Sequence, residues 1–141
     1  MIAPNDGPSA VHLKLAEMEH EGKLSAIITQ NIDGLHQLAG SKNVYELHGS
    51  VMRNYCMTCG RFYDLDFVKK TTGIPRCPED GGIVKPDVVL YEEALDQDVL
   101  EGALREIQQA DCLIIAGTSL AVYPAAGLIY YFKGKHLVVI N

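Results

Sequence analysis

Apolar positions along the chain change period repeatedly, and each change marks an element. Val11, Leu15 and Met18 recur at i, i+4 and i+7. This predicts a helix over 9–21, with Ser9 to cap its start and Gly22 to end it. Residues 24–30 read as a short buried strand, 31–34 as a turn, 35–39 as a short helix and 44–48 as another strand. From 51 to 87 the pattern gives way to a stretch rich in cysteine, glycine and proline, read as an inserted module. Strand character resumes at 88–91. Asp96 then caps a helix whose apolar face is Val99, Leu100, Ala103, Leu104 and Ile107. Residues 112–116 form an apolar strand, Pro124 opens a helix to about Phe132, and 137–140 form a last apolar strand.

Apolar strands alternating with helices predict an α/β chain: a parallel-sheet, Rossmann-like domain covered on both faces. Residues 1–50 and 88–141 would make that domain, with 51–87 inserted in it. Ligands of such sheets bind beyond the carboxyl ends of the strands. Gln30-Asn31, Gly117-Thr118-Ser119 and Asn141 all fall at predicted strand ends, so the pattern predicts one shared crevice.

Composition narrows the partners. The 141 residues carry a net charge of −6, which speaks against a nucleic-acid-binding domain and is compatible with a cationic peptide. No apolar run approaches the ~20 residues of a membrane span, and the start has neither the basic nor the apolar region of a signal peptide. A cytoplasmic protein is expected.

Of the four cysteines, Cys112 sits in an apolar run and the other three cluster. Cys56-x-x-Cys59, 17 intervening residues and Cys77-x-x-Asp80 have the spacing of a two-knuckle zinc site. Each knuckle brings two ligands to one side of a tight turn, and a carboxylate oxygen is an acceptable fourth ligand. Asp80 reads equally as a turn residue, with Glu79 or a water completing the coordination. Four protein ligands leave no open position, so such a metal would be structural.

Three polar groups are candidates for chemistry. Gln30, Asn31 and Asp33 follow an apolar strand and are dense in hydrogen-bonding side chains, though Asn-Asp-Gly is also a turn sequence. His48, before Gly49, reads as a structural histidine or as a general base. Gly117, Thr118 and Ser119 can offer amides and hydroxyls to phosphate or ribose oxygens. The glycine-rich dinucleotide fingerprint G-x-G-x-x-G is absent.

Taken together, TQNIDGLHQLAG (29–40), ELHG (46–49), the paired knuckles, KPDVVLYEE (85–93), GTSLAVYPAAG (117–127) and VVIN (138–141) resemble the sirtuin family, in family order. The resemblance implies an NAD-dependent protein-lysine deacylase. The acyl oxygen of an acyl-lysine attacks C1′ of the nicotinamide ribose and nicotinamide leaves. The histidine of the ELHG motif, here His48, then activates a ribose hydroxyl, and the products are lysine and O-acyl-ADP-ribose. It further implies that Gln30, Asn31 and Asp33 line the ribose and nicotinamide pocket. Gly117, Thr118 and Ser119 would hold the ribose-phosphate portion of NAD, and Asn141 the adenosine ribose. Val88, Val89 and Tyr91 would meet the acyl-lysine peptide, Val88 and its neighbours pairing with it as an added strand.

The chain departs from the family pattern in three places. The family's opening strand and glycine-rich phosphate loop would precede residue 1, and further sheet would follow Asn141. Asp80 stands for a zinc cysteine, and Tyr91-Glu92-Glu93 for the commoner Phe-Gly-Glu. Residues 1–141 alone are therefore expected to turn over no substrate and, with an open sheet edge, to self-associate. Competing readings are a mono-ADP-ribosyltransferase on the same scaffold and a non-enzymatic, zinc-stabilised interaction module.

Overall fold

The computed structural model describes residues 7–119, 121 and 123–140. In chain order these form α1 (Ala10–His20), β1 (Ile27–Thr29), α2 (Leu35–Leu38), β2 (Val44–Glu46), β3 (Gly49–Cys56), β4 (Phe62–Asp64) and α3 (Leu65–Lys70). They continue with β5 (Val84–Val88), α4 (Gln97–Gln109), β6 (Cys112–Ala116), a 3-10 helix (Ala125–Tyr131) and β7 (His136–Ile140).

Local chemistry explains the helix ends. The Ser9 amide donates to His12 Nδ1 at 3.2 Å, and α1 closes with Lys23 N–H on the Met18 carbonyl and Gly22 N–H on that of Glu19, a Schellman termination. Asp96 accepts from the Val99 amide at 3.0 Å and starts α4, as Asp64 does for α3 from Phe67 at 2.8 Å.

Two strand pairs are parallel: β1 with β2, Ile27 opposite Val44, and β6 with β7, Cys112 opposite His136. Between them lies an antiparallel sheet in the order β4-β3-β5. One core joins the parallel pairs. Leu47, Leu95, Ala103, Ile107, Ala125 and Leu128 are buried there, with Ile28, Tyr45, Val89 and Leu113 packed around them. Gly102 of α4 lies against the Tyr45 ring, where a Cβ would come within 2.3 Å of Cε1. Each of the larger buried side chains contributes about 1.5–3 kcal/mol relative to exposure. A second core around Cys56, Cys77 and Val84 takes in Tyr63 and Phe67.

The α/β character and the parallel pairing follow the sequence pattern, with three differences. The strand expected at 88–91 lies earlier, at 84–88, and is antiparallel. It ends because Glu92 adopts φ 69° and the Glu93 carboxylate accepts from the Leu90 amide at 2.8 Å, folding 90–93 into a turn. The helix expected from Pro124 is a 3-10 helix, closed by bonds such as Gly127 N–H to the Pro124 carbonyl. The apolar strands β6 and β7 are not covered on both faces. β7 is exposed along its whole length, because among the described residues β6 is its sole strand neighbour. Among the described residues no helix is long and apolar enough to cross a membrane.

Candidate active site and metal centre

The end of β1 and the start of β3 meet at His48. Its Nδ1 lies 3.1 Å from the Gln30 carbonyl oxygen. An oxygen there can only accept, so Nδ1 carries the proton and Nε2 keeps its lone pair in the neutral ring. The backbone is held as firmly. The His48 carbonyl accepts from Val89 N–H at 3.0 Å, and the Leu47 amide donates to the Thr29 carbonyl at 2.9 Å. Gly49, opposite Val88, has φ 76°, and a Cβ on it would lie 1.9 Å from the Asp87 carbonyl oxygen. That approach admits only glycine.

The neighbouring turn is built by its own side chains. Asn31 N–H donates to Thr29 Oγ1 at 3.1 Å, leaving the Asn31 side chain exposed. Asp33 Oδ1 accepts from Leu35 N–H at 3.0 Å and so starts α2. Next along that helix, His36 stacks obliquely on His12 with ring centroids 4.6 Å apart. Burial first, and the neighbouring His12 second, hold its pKa below the usual histidine value.

Gln30, His48, Val88 and Val89 are thus joined by direct backbone and ring contacts. Val88 and Val89 are half-buried, whereas Tyr91 is fully exposed at the following turn. β5 pairs with β3 on one side and, among the described residues, is an edge strand on the other. Gly117 follows β6, its N–H bonded to the Ile140 carbonyl at 3.1 Å, and Ser119 is exposed. Thr118 is partly buried beside them. Asn141 lies outside the described residues.

The metal centre has its own symmetry. In both knuckles the amide four residues on donates to the cysteine carbonyl, Gly60 to Cys56 and Gly81 to Cys77. Each cysteine amide donates in turn to the carbonyl five residues on, that of Arg61 and that of Gly82. The ligand atoms of Cys56, Cys59, Cys77 and Asp80 all lie within 4.8 Å of one another. Cys59 and Cys77 Sγ are 3.8 Å apart, and Cys56 Sγ is 3.3 and 3.6 Å from the two Asp80 oxygens. Tetrahedral zinc, with Zn–S of about 2.3 Å and Zn–O of about 2.1 Å, requires separations of about 3.8 and 3.6 Å. The four side chains fit that ion.

Its surroundings fit as well. Gly82 leaves the space, since a Cβ there would stand 2.7 Å from Cys56 Sγ. The Gly82 amide donates to Asp80 Oδ1 and, with the thiols, holds that carboxyl at about 2, ionised and ready to ligate. Tyr63 Oη is 3.0 Å from Cys77 Sγ. This contact, with burial, pushes the phenol up to about 12, so it remains a donor to sulfur. Tyr63 was not legible in the sequence, nor was the Val89–His48 bond. Aromatic residues near a knuckle carry no spacing signal, and cross-strand pairing needs the register.

A family model described as "Sir2 family" matches residues 1–124. A curated relative from Clostridium perfringens, named "NAD-dependent protein deacetylase", is 64% identical over all of this chain and 58% of its own length. A solved structure of Sir2 in complex with the inhibitor EX-527, 2′-O-acetyl-ADP-ribose and deacetylated p53 peptide is 42% identical. It superimposes with a TM-score of 0.87, covering 96% of this chain and 60% of the other. The structure of Sir2Af2 bound to a myristoylated histone peptide is 43% identical with a TM-score of 0.85, over 96% and 60% of the two chains. The chain therefore spans somewhat over half the length of the proteins it matches.

Proposed function

We propose that this chain, which belongs to the Sir2 family, forms the catalytic and peptide-binding part of a protein that removes acyl groups, acetyl foremost, from protein lysines at the expense of NAD. The observation that carries the reading is His48. Its Nδ1 is committed to the Gln30 carbonyl, which leaves Nε2 as a base of defined direction at the strand ends. NAD is consumed as co-substrate: its ribose C1′ bonds the acyl oxygen as the bond to nicotinamide breaks. A ribose hydroxyl then attacks the acyl carbon, and water completes the exchange, freeing the lysine amine and leaving the acyl group on ADP-ribose. His48 Nε2 takes the proton of that hydroxyl. A positioned general base of this kind contributes about 10²–10⁴-fold.

The remaining roles follow the same reading. Gln30, Asn31 and Asp33 line the ribose and nicotinamide pocket. Gly117, Thr118 and Ser119 bind the ribose-phosphate portion, and Asn141 the adenosine ribose. The open edge of β5 supports capture of an extended acyl-lysine peptide as an added strand beside Val88 and Val89, with Tyr91 near the acyl chain. Relatives named for acetylated and myristoylated peptide complexes support this substrate class.

We assign residues 1–50 and 88–141 to the NAD-binding part and 51–87 to the zinc module, with β3 and β5 forming the join. Cys56, Cys59, Cys77 and Asp80 hold a structural zinc that ties β3 to the Cys77 knuckle; it takes no part in the reaction. Unpaired thiols at all four cysteines suit a reducing cytoplasm. The exposed apolar edge of β7 supports self-association when nothing covers it.

Full-length protein, NAD and an acetyl-lysine peptide, followed by mass spectrometry, test the activity. Nicotinamide, free lysine peptide and O-acetyl-ADP-ribose are expected, and loss of all three in His48→Ala. Label from the adenosine half of NAD appearing on protein instead would establish ADP-ribosyl transfer and overturn the reading.

A further inference from the structure

Arg53 sits on β3, five residues after His48, and its side chain reaches two carboxylates on different strands. Nη1 donates to Glu46 Oε2 at 2.7 Å and Nε to Asp87 Oδ2 at 2.9 Å. Glu46 ends β2 two residues before His48, and its side chain is only 7% exposed. Asp87 belongs to β5, two residues before Val89, and its side chain is 48% exposed. The β3–β5 register shifts between Ser50 and Asn54. Pairing with β5 thus lapses over the stretch that carries Arg53, which keeps its partner Asp64 on β4.

We infer that Arg53 is a positioning residue for the proposed reaction, setting the turn between β2 and β3 that carries His48 against the strand that receives the acyl-lysine peptide. The inference rests on the function proposed above. The ladder alone cannot do this job. Around the shift, β3 and β5 are joined by the Gly49–Val88 and Ser50–Asp87 pairs on one side and resume only at Asn54–Pro86. Pro86 has no N–H to give. The guanidinium spans the gap with two donors in a rigid planar fork, each aimed at a different carboxylate. Glu46, nearly buried, needs this partner, since an unpaired buried carboxylate is strongly disfavoured. Lysine is a point charge and can satisfy one of the two carboxylates at a time. A shift of the two strands by an ångström would move Val89 N–H off the His48 carbonyl and carry a bound peptide away from Nε2. Misplacement on that scale costs as much as ~100-fold in rate.

The test uses full-length protein with Arg53→Gln, Arg53→Lys and Asp87→Asn. Expected are unchanged zinc content and circular dichroism, and a kcat/KM for acetyl-lysine peptide reduced about 10- to 100-fold in Arg53→Gln. Arg53→Lys and Asp87→Asn should lie between it and wild type. KM for NAD should stay within about twofold, because the ion pairs act on the peptide strand and on His48. Faster hydrogen exchange at Val89 and a shifted His48 ¹⁵N signal should accompany the loss. Wild-type peptide kcat/KM in Arg53→Gln, or an equal rise in both KM values, overturns the inference. If Arg53→Gln does not fold, Asp87→Asn decides by the same criteria. Should wild-type protein not deacylate at all, the functional reading falls. The Val89 exchange and His48 signal then decide Arg53: unmoved in the variants, they refute it.

Discussion

The Nδ1 of His48 and the carbonyl oxygen of Gln30 are 3.1 Å apart, although 18 residues separate them in the chain. This single bond selects the tautomer, leaves Nε2 with its lone pair and ties the first residue beyond β1 to the turn before β3, whose neighbour β5 carries the proposed peptide edge. Replacing His48 by glutamine should preserve the fold and lower the deacylation rate by at least ~100-fold. Steady-state kinetics with a thermal melt in parallel check this. A variant retaining more than a tenth of the rate would remove His48 from the role of base.

Gly49→Ala tests the close approach of β3 and β5. The added Cβ would meet the Asp87 carbonyl oxygen at 1.9 Å, in a backbone conformation of φ 76°. Strain of this kind costs about 1–3 kcal/mol, and the strands must part besides. The denaturation midpoint should fall and Val89 should lose exchange protection. Serine in place of alanine should do no better, since it carries the same Cβ.

Zinc content separates two roles of Asp80. One equivalent of zinc per chain is expected by atomic absorption. Asp80→Cys should bind it at least as tightly, and Asp80→Ala should release it to a weaker chelator. Chelation should raise exchange in β3, β4 and β5 before it does so in α4. In the chelated protein Asp80 also gives an acid dependence. Its folded pKa of about 2 lies below the usual 3.8, so its stabilisation is full above 3.8 and lost as pH falls towards 2. Asp80→Asn should flatten that limb of the acid titration.

His36 acts with the same sign, in a higher pH window. Burial and His12 lower its pKa, so the folded protein resists protonation that the unfolded chain accepts below its ordinary value of 6.5. Stability should therefore fall as pH drops through about 6.5 and level off once the folded form also protonates. Melting temperatures between pH 8 and 5 measure it, and His36→Gln should weaken the dependence.

Gly102→Val probes the seat of α4. Tyr45 occupies the space beside Gly102, with Cε1 2.3 Å from the position of a Cβ. Overpacking a core contact costs about 1–3 kcal/mol. The denaturant midpoint should shift accordingly, with the zinc content unchanged.

Features written in short stretches of chain were legible from the sequence alone. The two knuckles depend on cysteine spacing and tight turns, and α4 on an apolar stripe and an aspartate cap, so both appear where the pattern puts them. The order of motifs was likewise enough to indicate the family. What the tertiary structure decided are relationships across strands. β5 runs antiparallel to β3 and ends at Val88, and 34 residues separate Arg53 from the Asp87 it binds. Register and edge exposure depend on which strands meet, and a one-residue slip would turn each side chain to the other face. Local periodicity is blind to that choice, because it is made by the summed packing of distant segments into one core.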